Sequence, residues 1–295
     1  MSWTIKEKTD YLHMIWKNGK GKSVQMHIEP ENMTLEDPFK WRISSATITI
    51  AGAFSQFDGY NRTLIILKGN KLTLYHRQQP NSSVNLDHFT PYTFKGCWET
   101  DSTFQISPPP QPILPISILN HSYSSTGSLL STNSNSNASS GDNSPSITSS
   151  QSSLLLSAST NSASAYPIFL PQVEETVDFN VISKENEFDH SCRVHSFNNE
   201  NRELTITLDT SNTPSGTTFI FYPYQTTITV KSKGEEGSYQ KCKVLSENLL
   251  IIRDIHLKPQ QTKQLYITCK DNETLKNANL VVIQISPKSI RLQEK

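Results

Sequence analysis

Short runs of alternating apolar and polar residues dominate the chain on both sides of a long polar tract. The run Ala46–Ile50 alternates with a period of two, and the runs Glu203–Leu208 and Thr226–Val230 repeat the pattern. Such alternation places one face of a strand on a core and the other in solvent. No convincing helical periodicity extends beyond about two turns. Many short strands with closely spaced turns are typical of sandwiches and barrels, so the predicted fold class is all-β.

A tight turn is predicted at the pair Gly69-Asn70. The strand-like runs Thr63–Leu67 and Lys71–Tyr75 lie on either side of it. A Gly-Asn pair tolerates the positive φ angles that a two-residue turn requires. We therefore expect these two strands to form a hairpin.

A change of composition after Phe104 divides the chain. Five prolines stand between residues 108 and 115, and Ser, Thr and Asn then dominate through Ala165. Such a tract buries too little apolar surface to offset the entropy of ordering its backbone. The sequence therefore predicts a first strand-rich domain over residues 1–104, a low-complexity disordered insert over 105–170, and a second strand-rich domain over 171–295.

Charge and composition exclude several classes of partner. Lys and Arg together number 27, as do Asp and Glu, so the formal net charge is zero. A nucleic-acid-binding protein usually carries a basic excess, which this chain lacks. No apolar run approaches the roughly 18 residues that span a bilayer, and the polar N-terminus is unlike a signal peptide. We expect a cytoplasmic protein with no nucleic-acid partner and no membrane partner.

Three segments resemble the HutD/Ves family in their order and spacing. Trp16–Gly21 is similar to the family's W-K-N-G turn, and Phe39–Ala46 to its W-R-I-S strand. Gly52–Leu64 is similar to its F-S-x-F-x-G-x-x-R segment. Each match alone is a weak signal, but the three together across about 60 residues identify the chain as similar to this family.

Two further segments match the family less completely. Pro91–Gly96 resembles its F-x-G-D segment, with Cys97 in place of the acid, and we expect this thiol to be buried and inert. Asp178–Val181 resembles its D-F-N strand. These two segments sit close together in the family, so the polar tract is predicted to be an insert in a surface connection. The two halves of the chain should then pack against each other.

The resemblance implies a bicupin, in which two RmlC-like cupin β-barrels are packed together. It also implies a link to histidine catabolism in bacterial relatives, where the family is proposed to sense or limit an intermediate such as formiminoglutamate. No well-established catalytic activity comes with the family, so the expectation leans towards a protein that is not an enzyme. The expected function is regulatory binding of a small acidic metabolite in the N-terminal barrel. No cofactor is expected, and formation of a homodimer is left as an alternative.

The polar groups of the N-terminal half suit a carboxylate. An arginine offers a planar pair of donors that matches a carboxylate, and a lysine adds a point charge. Arg42 lies between Trp41 and Ile43 on a predicted strand, so its side chain should point to the opposite face. Combined with the resemblance, these properties select five candidate ligand-binding residues: Lys17, Asn18, Arg42, Ser55 and Arg62.

A structural role for the arginines stays open. Arg42 and Arg62 could instead pair with Asp58, Glu36 or backbone carbonyls and brace the barrel. The nearby aromatic residues are predicted to pack in the core rather than to stack on a ligand: Trp16, Trp41, Phe54 and Phe57.

Two other functions are weighed against metabolite binding. A metal-dependent cupin enzyme of the isomerase or dioxygenase type typically uses an H-x-H pair, and none of the eight histidines forms one. His13, His27 and His76 could still cluster in space. No nucleophile motif is present, so no catalytic or metal-binding residue is assigned. The third function is an interaction scaffold that recruits partners through the Ser/Asn-rich insert.

Overall fold

The computed structural model describes residues 1–16, 19–79, 82–105, 174–233, 238–258, 260–269 and 278–288. Within these ranges the protein consists of strands and one three-residue 3-10 helix, Lys8–Asp10. No helix of the described part has the length and apolar character needed to cross a membrane. The predicted insert, apart from residue 105, lies outside the described residues.

Eighteen strands make up the described fold. Those before residue 106 are β1 Ser2–Lys6, β2 Leu12–Ile15, β3 Gly21–Glu29, β4 Trp41–Ile48, β5 Tyr60–Lys68, β6 Lys71–His76, β7 Ser83–Leu86, β8 Tyr92–Lys95 and β9 Thr100–Gln105. Those after residue 173 are β10 Thr176–Lys184, β11 Phe188–Phe197, β12 Glu203–Leu208, β13 Thr218–Tyr224, β14 Ile228–Lys233, β15 Tyr239–Val244, β16 Leu249–Arg253, β17 Lys263–Cys269 and β18 Ala278–Pro287.

The strands form four sheets that combine into two lobes. The first lobe pairs a six-stranded sheet, β2-β3-β4-β10-β5-β8, with a three-stranded sheet, β7-β6-β9. Its core contains Leu64, Ile66, Leu72 and Leu74. The second lobe pairs a five-stranded sheet, β1-β16-β13-β18-β11, with a four-stranded sheet, β12-β17-β14-β15. Each lobe thus encloses its own apolar core between two sheets, as expected for two small β-barrels.

Strands cross between the two ends of the chain. β10 follows the insert, yet it lies between β4 and β5 in the first lobe. β1 begins the chain, yet it pairs with β16 in the second lobe. The predicted domain limits at residues 104 and 171 stay a prediction, but each lobe needs strands from both ends of the chain.

A third apolar cluster joins the two lobes. Side chains alternate across β4, so Trp41 and Ile43 face the second lobe, where Ile220 and Ile251 are also fully buried. Burial of each such side chain contributes about 1.5–3 kcal/mol. Residues Met1–Ser107 and Gln172–Lys295 form one compact unit. The prediction that the two halves pack against each other is therefore confirmed.

The predicted hairpin at Gly69-Asn70 is wrong. Both strands form, but β5 pairs with β10 and β8, whereas β6 pairs with β7 and β9. Gly69 has the expected positive φ of 85°. The turn passes from one sheet to the other, and the Thr176 hydroxyl donates a 2.8 Å hydrogen bond to the Asn70 carbonyl. Local turn chemistry requires the positive φ, but partners distant in sequence decide which strands pair.

Candidate functional site

A cavity of about 580 Å³ opens into the first lobe. Its inner wall is formed by inward-facing side chains of β4, β5 and β10, including Arg42, Arg62 and Asn180. Period-two alternation explains this orientation. Trp41 and Ile43, which flank Arg42, and Phe179 and Val181, which flank Asn180, lie on the opposite strand face in the apolar cluster between the lobes. A volume of this size is within the range of small-molecule sites, roughly 300–1,000 Å³.

Arg42 is held by neutral oxygen acceptors. Its Nε donates a 2.8 Å hydrogen bond to Oε1 of Gln25 on β3, and its Nη1 donates a 3.0 Å hydrogen bond to Oγ of Ser44. The residue is 5% exposed. Burial lowers the pKa of Arg42 to about 10, and Asp178 acts in the opposite direction. The guanidinium is therefore fixed in place without a paired negative charge.

Arg62 is held in a similar way on β5. Its Nε donates a 3.1 Å hydrogen bond to Oδ1 of Asn180, and its Nη1 donates a 3.2 Å hydrogen bond to the carbonyl oxygen of Ser55. Burial lowers the pKa of Arg62 to about 10, Asp178 raises it and Arg42 lowers it further. The positive charge of Arg42 therefore disfavours the charged form of Arg62.

Aromatic rings surround the Arg62 guanidinium. Its Cζ lies 4.8 Å from the ring centroid of Phe54, 5.8 Å from that of Phe57 and 5.6 Å from that of Phe94. The segment that carries Phe54 and Phe57 is anchored by backbone hydrogen bonds to Thr100 and Gly96. Cation–π contacts partly compensate a desolvated cation, but they do not replace a counter-charge.

The carboxylate of Asp178 raises the pKa of both arginines through its negative charge. It is 0% exposed, and Oδ1 accepts a 2.8 Å hydrogen bond from the backbone N–H of Ala46. Burial raises the pKa of Asp178 to about 6, while Arg62, the Ala46 hydrogen bond and Arg42 lower it. Its other oxygen, Oδ2, is buried and has no hydrogen-bond partner among the described residues.

Neither arginine has an ion-pair partner in the part of the chain that the structure describes. Ion pairs within 4.0 Å are found for Arg77 and Arg253, but not for Arg42 or Arg62. The cavity wall thus carries two guanidinium groups and a single carboxylate at longer range. Buried charges are normally paired, so this arrangement suits a negatively charged guest.

The mouth of the cavity carries exposed apolar side chains beside the exposed Lys20. Ile15 on β2 is 85% exposed, Ile50 is 55% exposed and Leu35 is 42% exposed, and all three line the opening. The side chain of Trp16 also lines the cavity, with its Nε1 donating a 2.7 Å hydrogen bond to Oγ of Ser23. The buried arginines therefore lie behind a largely apolar entrance.

The structure brings three of the five predicted ligand-binding residues to one cavity. Arg42, Ser55 and Arg62 all line it, whereas Lys17 and Asn18 lie outside the described residues. Among the described contacts, neither arginine pairs with Asp58 or Glu36, although Arg62 does donate to the Ser55 carbonyl. Their role in ligand binding stays a prediction.

Sequence reasoning missed Asp178 and Asn180 as cavity residues. Both stand in the D-F-N segment that contributed to the family resemblance, and alternation around the inter-lobe residue Phe179 places them on the cavity face. The pattern within β10 could have indicated their common face. It could not indicate that β10 lies next to β4 and β5, more than 100 residues away in sequence.

The candidate aromatic residues divide into two groups. Trp41 is 3% exposed and belongs to the inter-lobe core, which confirms its predicted packing role. Trp16, Phe54 and Phe57 pack partly against apolar clusters, but each is half-buried and also lines the cavity. These three residues therefore pack against the apolar clusters on one side and line the cavity on the other.

The three histidines considered for a metal site lie in different settings. His13 is exposed on β2, and His27 lies at the lobe junction, where it contacts Glu29 and Arg253. His76 contacts Thr100 and Tyr92 inside the first lobe. The described residues contain no group of three or more His, Cys, Asp or Glu that could hold a metal ion.

The prediction of a buried thiol at Cys97 is wrong. This cysteine is exposed, because it stands in the turn that links β8 to β9 rather than on a strand. Its carbonyl oxygen accepts a 3.0 Å hydrogen bond from Nε2 of Gln56. Cys97 is not among the residues that line the cavity.

Part of the chain is similar in sequence to a known protein family. The HutD family model matches residues 8–109. An uncharacterized 21.2 kDa protein in the hutC 3′ region of Pseudomonas putida is 37% identical over 87 residues, which cover 30% of this chain and 44% of that protein. The aligned region thus spans less than half of this curated relative. The resemblance predicted from the sequence motifs is confirmed.

Solved structures are similar over nearly the whole chain. A conserved protein of unknown function from Pseudomonas aeruginosa PAO1 has a TM-score of 0.60 and 16% identity, over 97% of this chain and 100% of that one. HutD from Pseudomonas fluorescens SBW25, determined in a formate condition, has a TM-score of 0.54 and 15% identity, over 98% of this chain and 100% of that one. The predicted all-β fold with two packed, barrel-like lobes is confirmed.

Proposed function

With residues 8–109 matching the HutD family model, we propose that this HutD-like chain binds a small acidic metabolite in the cavity of its first lobe. In this proposal Arg42 and Arg62 receive a carboxylate of the guest, and binding has a regulatory rather than a catalytic outcome. The expectation of a cytosolic setting, and of a metabolite such as formiminoglutamate from histidine catabolism, is part of the same proposal.

One observation supports the proposal above the others. Arg42 and Arg62 are each 5% exposed, and neither has a carboxylate oxygen within 4.0 Å among the described residues. Removing a cation from water is costly unless an anion or several hydrogen bonds compensate it. A guest carboxylate offers the missing charge, and the two-pronged geometry of a guanidinium suits it.

The opposing explanation is that both arginines only brace the lobe. Their bonds to Gln25, Ser44, Asn180 and the Ser55 carbonyl do link several elements. Neutral amide or hydroxyl side chains could make such links without the cost of desolvating a charge. The choice of two cations around one open cavity favours recognition of an anion.

Thermal unfolding with a panel of acids tests the proposal. A ligand that binds only the folded state raises the melting temperature in proportion to RT ln(1 + [L]/Kd). We expect formate, glutarate or formiminoglutamate to raise the melting temperature of the wild-type protein and to have no effect on Arg62→Met. This substitution preserves much of the side-chain length while it removes the charge.

Arg77→Met is the matched control. Arg77 is an exposed arginine on the same lobe, where it pairs with Glu99 through a 2.8 Å ion pair. This variant should respond to the acids as the wild-type protein does. An identical response of Arg62→Met and the wild type, or no response of the wild type to any acid in the panel, would end the proposal.

A further inference from the structure

The second oxygen of Asp178 is a buried acceptor to which no described residue donates a hydrogen bond. Oδ1 accepts the Ala46 N–H, whereas Oδ2 has no partner in the described part of the chain. The residue is fully buried and lines the cavity that holds both arginines. A buried carboxylate oxygen without a donor loses its hydration and gains nothing in return.

Asp178 lies on the same strand as Asn180, the residue that accepts a hydrogen bond from Arg62. Asp178 and Asn180 lie two residues apart on β10, so they share the cavity face at a spacing of roughly 6.5–7 Å along the strand. Asn180 in turn accepts the Nε–H of Arg62. One small molecule is long enough to contact both the arginine and the aspartate.

We propose that the cavity selects acids that carry an N–H or O–H donor close to the carboxylate, and that Asp178 Oδ2 accepts this donor. The inference rests on the proposed function, because the arginines must first receive the carboxylate. It adds a chemical class: hydroxy acids and amino acids are preferred over plain carboxylic acids of equal length and charge.

A purely structural role for Asp178 explains only half of its geometry. The hydrogen bond from Ala46 needs one acceptor oxygen, and an asparagine at this position would supply it. Burial raises the pKa of Asp178 to about 6, because the ionised carboxylate loses its hydration inside the fold. Because Asp178 lines the cavity, a donor on the guest would supply the hydrogen bond that Oδ2 lacks among the described residues.

Matched acids that differ by one hydroxyl group test the inference without any substitution. Lactate is compared with propionate, and 2-hydroxyglutarate with glutarate, by isothermal titration calorimetry of the full chain at pH 7.5. Because a hydrogen bond to a charged group is strong, we expect each hydroxy acid to bind about tenfold or more tightly than its partner.

Asp178→Asn identifies the residue responsible. With the amide oxygen on Ala46, the amide nitrogen stands where Oδ2 stood and offers a donor instead of an acceptor. The preference for the hydroxy acid should then vanish or invert, while the plain acid still binds. Asp87→Asn, at an exposed aspartate paired with Lys71, should retain the preference.

The outcomes separate this inference from the proposed function. Equal binding of both members of each pair to the wild type overturns the inference and leaves carboxylate binding standing. A preference that survives in folded Asp178→Asn, verified by circular dichroism, also overturns it. If none of the four acids binds the wild type, both proposals fail for this class of guest.

Discussion

Nε of Arg62 donates a 3.1 Å hydrogen bond to Oδ1 of Asn180, and this bond joins two positions 118 residues apart in the chain. Arg62 stands on β5 before the polar insert, and Asn180 stands on β10 after it. The cavity wall is therefore complete only when both ends of the chain have come together. β10, the strand that follows the insert, contributes Asp178, Asn180 and Ile182 to that wall.

Replacing Asn180 should destabilise the protein. In Asn180→Leu the buried Nε–H of Arg62 loses its acceptor, so we expect the free energy of unfolding to fall by about 1–3 kcal/mol. Urea denaturation followed by tryptophan fluorescence measures the change. Asn85→Leu is the control, because Asn85 is exposed and its Oδ1 accepts hydrogen bonds from the Thr73 hydroxyl and from Nε2 of Gln105. Equal losses in the two variants would contradict the buried bond.

Asp178→Asn should stabilise the unliganded protein at neutral pH. The pKa of Asp178 is about 6 in the fold, above its ordinary value of 3.8, so the folded state holds the ionised form at a cost. That cost is fully present above pH 6 and disappears as the pH falls towards 4. We expect the variant to exceed the wild type by up to about 3 kcal/mol at pH 7, with a gap that closes near pH 4.

Denaturation curves at several pH values measure this gap. Asp87→Asn serves as the comparison, since Asp87 is exposed and its pKa is lowered by a hydrogen bond from Lys71. That variant should bring no stabilisation at neutral pH. A constant gap for Asp178→Asn between pH 4 and pH 7 would show that its charge is not the source of the effect.

His190→Gln should reduce the sensitivity of the fold to mild acid. His190 on β11 bridges the lobes, with Nε2 2.7 Å from the Thr63 hydroxyl and Nδ1 2.6 Å from the Ser183 hydroxyl. Burial lowers the pKa of His190 from 6.5 to about 4. Between these values the unfolded state gains a proton that the folded state does not, so stability is lost as the pH falls.

This loss is expected to reach about 2–3 kcal/mol in the wild type near pH 4 and to be absent from His190→Gln. The difference between the two proteins in free energy of unfolding is measured from pH 7.5 to 4.5. His13→Gln, at an exposed histidine on β2, should follow the wild type. A His190→Gln curve parallel to that of the wild type would contradict the assignment.

Two glycines with similar φ angles allow the cost of a left-handed backbone to be distinguished from the cost of a steric clash. Gly69 has φ 85° and Gly59 has φ 80°, so an alanine at either position costs about 1–2 kcal/mol in the left-handed region. A Cβ at Gly69 would lie 2.1 Å from the carbonyl oxygen of Glu175, whereas one at Gly59 would meet nothing within 4 Å.

Gly69→Ala should therefore cost about 1–3 kcal/mol more than Gly59→Ala, because the start of β10 must move. The free energies of unfolding of both variants in urea give the comparison directly. If the two substitutions cost the same, the close approach of the Gly69 turn to β10 is not a feature of the protein in solution.

Much of the site could be inferred from neighbouring residues. Alternation around Trp41 and Ile43 predicted that Arg42 faces the opposite side of its strand, and the cavity lies on that side. The motif Gly52–Leu64 directed attention to Arg62 and Ser55 before any fold was known. These inferences succeeded because side-chain direction along a strand depends on a period of two, which the local sequence contains.

The failed inferences concerned relations between distant segments. A Gly-Asn turn at residues 69–70 is compatible with a hairpin and equally with a passage between sheets. Both edges of β5 are occupied, one by β10 and the other by β8, so β6 pairs elsewhere. Cys97 was expected to be buried, but its place in the turn between β8 and β9 exposes it. Pairing and burial depend on contacts that no local pattern encodes.

The sequence by itself determined that this protein is built from strands and which side chains share a strand face, because both follow from the order of neighbouring residues. Only the tertiary structure decided that β10 would carry Asp178 and Asn180 to the wall beside Arg42 and Arg62. It also decided that the two cations would lack a close counter-ion among the described residues. Desolvation and charge pairing are properties of an enclosed space, and that space exists only after the chain has folded.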